Sequence, residues 1–224
     1  MREVSFSVQS GQIAALVGKS GCGKTTTLKM INRLIEPSSG EIWVGGKKAS
    51  ELDVISWRRR IGYVIQKAGL LPHLTIEENI SLLSKVLAKD KNWIKKRVQQ
   101  LMHTIQLPYE DYADRYPLQL SGGQQQRVGI ARALMENPDV ILMDEPFGAL
   151  DPMTKADLHQ EFLDLNQKFN KTIVIVTHDL REAFKLASHI MIMNEGVIVQ
   201  QGSEKQIKSQ PVNEFVQKFL KGHL

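Results

Sequence analysis

The sequence of 224 residues has a single cysteine, Cys22, so no internal disulfide can staple it. That fits a cytosolic chain without requiring one. No apolar run approaches the length of a membrane-spanning helix, and no signal peptide, internal repeat or low-complexity tract is visible. The excess of positive charge is small. A formal net charge of +5 comes without any RNA- or DNA-binding motif, so nucleic acid is not expected as a partner. The same charge suits contact with an anionic membrane surface. With 42% hydrophobic and 24% charged residues, the chain suits one large domain, or one domain with an inserted subdomain.

What is present centres on Gly18-Lys19-Ser20-Gly21-Cys22-Gly23-Lys24-Thr25, which fits G-x-x-x-x-G-K-[ST]. Glycines let successive backbone N–H groups point inward at a polyphosphate. Lys24 can reach the β- and γ-phosphates, and the Thr25 hydroxyl can hold Mg²⁺. The apolar run Ile13–Val17 reads as a buried strand before the loop. Thr25 to Leu34 has helical spacing after it, with Leu28, Ile31 and Leu34 on one side. The loop therefore joins a strand to a helix N-terminus, where anions are favoured. Cys22 lies within this loop, and the loop's N–H groups and Lys24 predict a reactive thiolate there.

Strands and helices alternate along the rest. Val4 to Val8 alternates apolar residues with serine, as a half-buried strand does. Glu41–Val44 and Lys47–Lys48 read as strands around Gly45-Gly46, with Trp43 a packing residue. Asp53–Arg60 reads as a short helix and Ile61–Ile65 as a strand ending at Gln66. From Leu70 the character changes. Ile76–Leu87 is helical, and a second helix, capped by Asn92 or Asp90, carries Ile94, Val98, Leu101 and Ile105 as an apolar stripe. Val140–Met143 and Thr172–Val176 are apolar strands, with a helix from Thr154 to Phe169 between them. Another helix runs to Ala187, two strands follow at Ile190–Met193 and Val197–Gln200, and the tail from Pro211 to Leu220 has helical spacing. Such alternation predicts a mostly parallel sheet, with ligands at the strand carboxyl ends. Gly18, Gln66, Asp144 and His178 all fall there.

Asp144 and Glu145 follow a buried strand. Asp144 can anchor Mg²⁺ as a second ligand beside Thr25, and Glu145 can orient an attacking water. Leu120-Ser121-Gly122-Gly123-Gln124 opens another helix and forms a second backbone anion site. It lacks a lysine, which points to a loop that completes a neighbour's site.

Together these motifs resemble the ATP-binding subunit of ABC transporters. The resemblance covers essentially the whole chain: the P-loop Gly18–Thr25, the signature Leu120–Gln124, the acidic strand Val140–Glu145, Gln66, Gly148-Ala149-Leu150-Asp151 and His178, in the family's order. It implies an α/β P-loop NTPase domain over 1–224, with a mostly parallel core sheet, an N-terminal antiparallel β region and a helical insert at about 70–135. It implies that Gly18, Lys19, Ser20, Gly21, Cys22, Gly23, Lys24, Thr25 and Thr26 bind ATP, and that Thr25, Gln66 and Asp144 hold Mg²⁺. Glu145, His178 and Gln66 would be catalytic. Ser121, Gly122, Gly123 and Gln124 would contact the ATP of a head-to-tail partner, and Asp151 the partner's P-loop. The other partners implied are transmembrane permease subunits and a solute-binding protein, at the cytoplasmic face of the membrane.

Ile31–Pro37, Ile61–Gln66, Pro72–Ile80 and Asn213–Val216 are similar to glycine betaine/choline importers. Importers of another solute, such as an amino acid, and soluble non-transport ABC ATPases are the alternative readings. Two departures are expected from the resemblance. No paired CBS domains follow the tail. No strand with an adenine-stacking aromatic residue precedes Val4, and Phe6 reads as core.

Overall fold

The structure, a computed structural model, describes residues 1–66, 68–148 and 152–223, with the side chains of 152–154 and 223 left aside. Ala149, Leu150 and Asp151, the last expected to meet a partner's P-loop, lie outside the described residues.

Strand β1 (Ile13–Val17) runs through the glycine loop into α1 (Lys24–Ile31). A short antiparallel hairpin, β2 (Trp43–Val44) and β3 (Lys47–Lys48), precedes α2 (Val54–Arg59) and β4 (Ile61–Val64). Four helices follow: α3 (Ile76–Val86), α4 (Lys91–Thr104), α5 (Tyr109–Tyr112) and α6 (Gly122–Leu134). The chain then alternates through β5 (Val140–Asp144), α7 (Pro152–Phe169), β6 (Thr172–Thr177), α8 (Leu180–Leu186), β7 (His189–Asn194) and β8 (Val197–Gly202). It ends in α9 (Glu204–Ser209) and α10 (Glu214–His223).

The main sheet has the order β4-β5-β6-β1-β7-β8. Its first five strands are parallel, and β8 pairs antiparallel with β7 at the edge. Parallel strands are covered on both faces and so read as continuous apolar runs, whereas the edge strand β8 mixes Val and Ile with Gln. Alternate side chains go to opposite faces. Ile13, Ala15 and Val17, with Met143 and Ile175, join a cluster built with α3, α4, α6, α7, α8 and α10. Ala14, Leu16, Leu142, Val174 and Val176 join a second cluster with Leu28 of α1 and Trp57 of α2.

Several helix starts carry caps. Thr75 and Glu78 form a reciprocal capping box on α3, as do Ser121 and Gln124 on α6. Asp90 caps α4, accepting from the Trp93 N–H. Each such cap contributes about 0.5–2 kcal/mol.

The structure departs from the sequence reading at particular places. Val4–Val8 is not a strand. Val4, Phe6 and Val8 do turn one apolar side onto the second cluster, so the alternation was informative about burial but not about pairing. Helix α1 stops at Ile31. Arg33 takes a left-handed conformation, φ 52°, and Leu34 N–H bonds the Lys29 carbonyl while Arg33 N–H bonds that of Met30. That crossed pair of bonds terminates a helix, and it leaves Leu34 outside the helix and exposed. Trp43 is 55% exposed and lies over the hairpin rather than packing inside. The tail helix starts at Glu214 rather than Pro211.

Candidate nucleotide site

The strand register brings the carboxyl ends of β4, β5, β6 and β1 side by side. Val17 pairs with Thr177, Asp144 with Val176, and Val64 with Met143. The glycine loop, His178, Asp144-Glu145 and Gln66 therefore share one rim.

Two glycines in the loop have distinct physical reasons. Gly23, the N-cap of α1, has φ 109°, a conformation that side chains disfavour. A Cβ on Gly18 would collide with the Met193 carbonyl and the Cys22 sulfur. Lys24 folds back over the loop, its Nζ donating to the carbonyls of Gly18 at 2.8 Å and Lys19 at 2.9 Å. It is buried and aimed at the loop's centre, where those carbonyls stand in for an anion. Lys19, Ser20 and Gly21 are exposed, Thr25 and Thr26 half-buried. Cys22 corrects the expectation of a reactive thiol. It is 6% exposed, and its sulfur packs beside Gly18 with Lys24 Nζ 3.9 Å away, in the second apolar cluster.

Thr25 Oγ1 donates to Asp144 Oδ1 at 2.9 Å. Burial raises the Asp144 pKa, the Thr25 hydrogen bond opposes that, and the charge of Glu145 adds to it. A half-buried carboxylate beside a hydroxyl, both hard oxygen donors, fits Mg²⁺, which takes one or two carboxylates and completes its shell with phosphate oxygens and water. Because the folded-state pKa is raised, the folded chain holds its proton to higher pH than the unfolded chain. The stability from this group is full below the unfolded pKa and is lost as pH rises through the folded one. At neutral pH the ionised Asp144 is thus a cost to the nucleotide-free fold. Asp144→Asn is expected to raise its melting temperature, by about 2–4 °C per kcal/mol relieved, while weakening Mg²⁺-dependent ATP binding. Calorimetry with and without MgATP measures both.

Glu145 follows β5 in a left-handed conformation, φ 44°, held by its N–H bond to the Val176 carbonyl at 2.9 Å. Such a backbone costs about 1–3 kcal/mol for a residue other than glycine and tends to persist at functional sites. Its carboxylate sits between two groups. Gln66 Nε2 donates to Oε2 at 3.3 Å, and His178 Nδ1 lies 3.3 Å from Oε1.

The signature stretch is elsewhere. Ser121 and Gly122 are exposed and Gly123 is buried. Gln124 Nε2 donates to the Tyr112 hydroxyl at 3.2 Å. Among the described residues no hydrogen bond or ion pair joins Ser121–Gln124 to the P-loop.

The sequence and the fold match those of known proteins. The ABC transporter family profile matches residues 1–148. The chain belongs to the ABC transporter family. It is 51% identical over 220 residues to the glycine betaine/carnitine/choline transport ATP-binding protein OpuCA of Bacillus subtilis, covering 98% of this chain and 58% of that protein. It is 48% identical over 217 residues to the osmoprotectant import ATP-binding protein OsmV of Salmonella typhimurium, covering 97% of this chain and 57% of that protein. The chain thus spans somewhat over half the length of these relatives. A solved dimeric, post-hydrolysis ATP-binding cassette, MJ0796, bound to ADP and Pi, superposes with a TM-score of 0.77 at 36% identity, covering 89% of this chain and 88% of that one. The chain has the α/β P-loop fold of the ABC cassettes. No described helix is long and apolar enough to cross a membrane.

Residues that sequence reasoning missed also reach this rim. Tyr63, on β4, has its phenol pushed up to about 12 by burial and then by the Asp144 charge. An aromatic residue inside an apolar strand gives no other signal. Lys155, His159 and Glu182 meet at the start of α8, whose cap Asp179 follows His178, and nothing in their spacing marks them out from ordinary helix residues.

Proposed function

We propose that the chain is the ATP-hydrolysing motor subunit of a membrane importer for glycine betaine/choline-type osmoprotectants. The observation that carries the hydrolytic reading is the Glu145 carboxylate, held between Gln66 and His178 beside the Thr25–Asp144 pair. Lys24 exchanges the loop carbonyls for the β- and γ-phosphates of ATP, and the loop N–H groups from Gly18 to Thr25 take the remaining phosphate oxygens. Thr26, one residue further into α1, takes the α-phosphate. Thr25 and Asp144, with Gln66, would hold Mg²⁺, which supplies positive charge against the phosphates and fixes their orientation. Glu145 accepts a proton from a water whose oxygen attacks the γ-phosphorus in line, and the bond to ADP breaks. His178 and Gln66 orient the carboxylate from its two sides.

The exposed Ser121-Gly122 at the start of α6, with the N–H of Gly123 and the side chain of Gln124, suits the γ-phosphate of a second copy, paired head to tail. Asp151 belongs to the same interface in this reading. Closing that pair around two ATPs would move transmembrane permease subunits, which receive solute from a solute-binding protein. The pair would work at the cytoplasmic face of the membrane. The solute class is supported by the names of the relatives above, since the chain itself would not touch the solute.

The test is uptake. Vesicles containing this chain and its cognate permease, loaded inside with MgATP, are expected to accumulate labelled glycine betaine or choline in the presence of the cognate solute-binding protein. Accumulation of an amino acid with neither of these would overturn the solute class. ATP-independent uptake would overturn the motor role.

A further inference from the structure

Helix α7 touches three functional segments. Phe147, fully buried two residues after Glu145, packs edge-on against the His159 ring at 4.7 Å and the Phe162 ring at 5.8 Å. Glu161 Oε2 lies 3.3 Å from Arg127 Nε on α6, the helix that Ser121 caps. On the other side, Lys155 Nζ reaches Glu182 Oε2 at 2.7 Å and Asp179 Oδ2 at 3.0 Å, both carboxylates at the start of α8. His159 Nε2 is 3.8 Å from the same Glu182 oxygen.

The cluster is buried where charge is expensive. The Glu182 side chain is 2% exposed and that of Lys155 20%. Glu182 Oε1 and His159 Nε2 have no hydrogen-bond partner among the described residues, so Lys155 carries most of the compensation. A packed apolar trio would hold α7 to α8 as well or better, which leaves the placement of α8 as what these charges add. Asp179 does two tasks at once. Its Oδ1 accepts from the N–H groups of Arg181 at 2.9 Å and Glu182 at 3.3 Å, capping α8. Its Oδ2 takes Lys155. Asp179 is the neighbour of His178, whose side chain is 57% exposed and meets Glu145 Oε1 through Nδ1 at 3.3 Å. The His178 backbone leads straight into the α8 cap, which is held by the Asp179 N–H bond to Thr177 Oγ1 at 3.0 Å and by Lys155 on Asp179 Oδ2.

We propose that Lys155 and Glu182 are positioning residues that hold His178 against Glu145, tying α7 to the switch between the strand β6 and the helix α8. This deepens the hydrolytic reading above and rests on it. Neither residue touches ATP, so their loss should misplace a catalytic group without removing a binding one. A misplacement of about 1 Å can lower turnover ~10²-fold.

The experiment measures ATPase turnover, KM and ATP affinity of the full chain, with thermal unfolding as the check on folding. Lys155→Met is expected to lower turnover roughly 10- to 100-fold with KM and ATP affinity little changed. Lys155→Arg should restore most of it, since guanidinium can serve both carboxylates. Glu182→Gln, which keeps the shape and removes the charge, should fall like Lys155→Met and covers the case in which that variant does not fold. Turnover near the native value in a folded Lys155→Met or Glu182→Gln would overturn the proposal. So would a loss of affinity that accounts for the whole effect, or a fall that Lys155→Arg shares in full. Glu145→Gln is run alongside. If it hydrolyses ATP normally, the hydrolytic reading fails, and that result is separate from any of these.

Discussion

Glu145→Gln is expected to hydrolyse ATP about 10²- to 10⁴-fold more slowly than the native chain, the usual range for a positioned general base, while binding MgATP as well or better. The amide keeps the size of the carboxylate and can still meet Gln66 and His178, but it cannot take a proton from water. Thr25 and Asp144 are untouched, so the Mg²⁺ ligands persist. The ground state with ATP bound should then accumulate, and with it the closed pair of chains. Single-turnover hydrolysis and gel filtration with MgATP measure the two halves separately. Hydrolysis at the native rate would remove Glu145 from the mechanism. Slow hydrolysis without an ATP-dependent dimer would keep Glu145 and remove the pairing.

The sequence made this site legible because its parts are short and local. A glycine loop between strand and helix, and an acidic pair after four apolar residues, need no tertiary knowledge to locate. Parallel topology then puts the carboxyl ends of β4, β5, β6 and β1 on one rim, which is why Gln66 and His178, isolated in sequence, meet on the two oxygens of Glu145. Helix ends were less legible. Helices α1, α3 and α4 are followed by left-handed Arg33, Ala88 and Gln106, each with the crossed bonds that usually go with glycine. Without glycine the stop leaves no trace in composition. Val4–Val8 shows the opposite limit. Alternation reports which side chains are covered, but a strand also needs a neighbour, and that information lies elsewhere in the chain. Cys22 shows a third. The loop's chemistry is backbone chemistry, and a side chain within it can point away from the ligand into the core.

The second large effect concerns the sharing of one site between two chains. Lys24→Ala should abolish ATP binding, because among the described residues Lys24 is the cation whose Nζ reaches the loop's carbonyls. Ser121→Arg should bind ATP through its own intact P-loop and yet hydrolyse very little, since the exposed start of α6 could no longer approach a partner's γ-phosphate. If the pair is head to tail, mixing the two variants creates one complete site per mixed dimer. Activity could then return to at most about a quarter of the native value, because random pairing makes half of the symmetric dimers mixed and each has one working site of two. Recovery also requires that one site can fire alone, so geometry is the firmer readout. With Cys22→Ala removing the native thiol, one tagged chain carries Lys19→Cys and another Ser121→Cys, both in the Glu145→Gln background to hold ATP. A short bifunctional maleimide should join the two tags, and only with MgATP. Lys19 and Ser121 are both exposed in the single chain, so either thiol is free to react. Products joining Lys19→Cys to itself or Ser121→Cys to itself would contradict the head-to-tail arrangement. They would also leave the lysine-free anion loop at Ser121 without the ligand proposed for it.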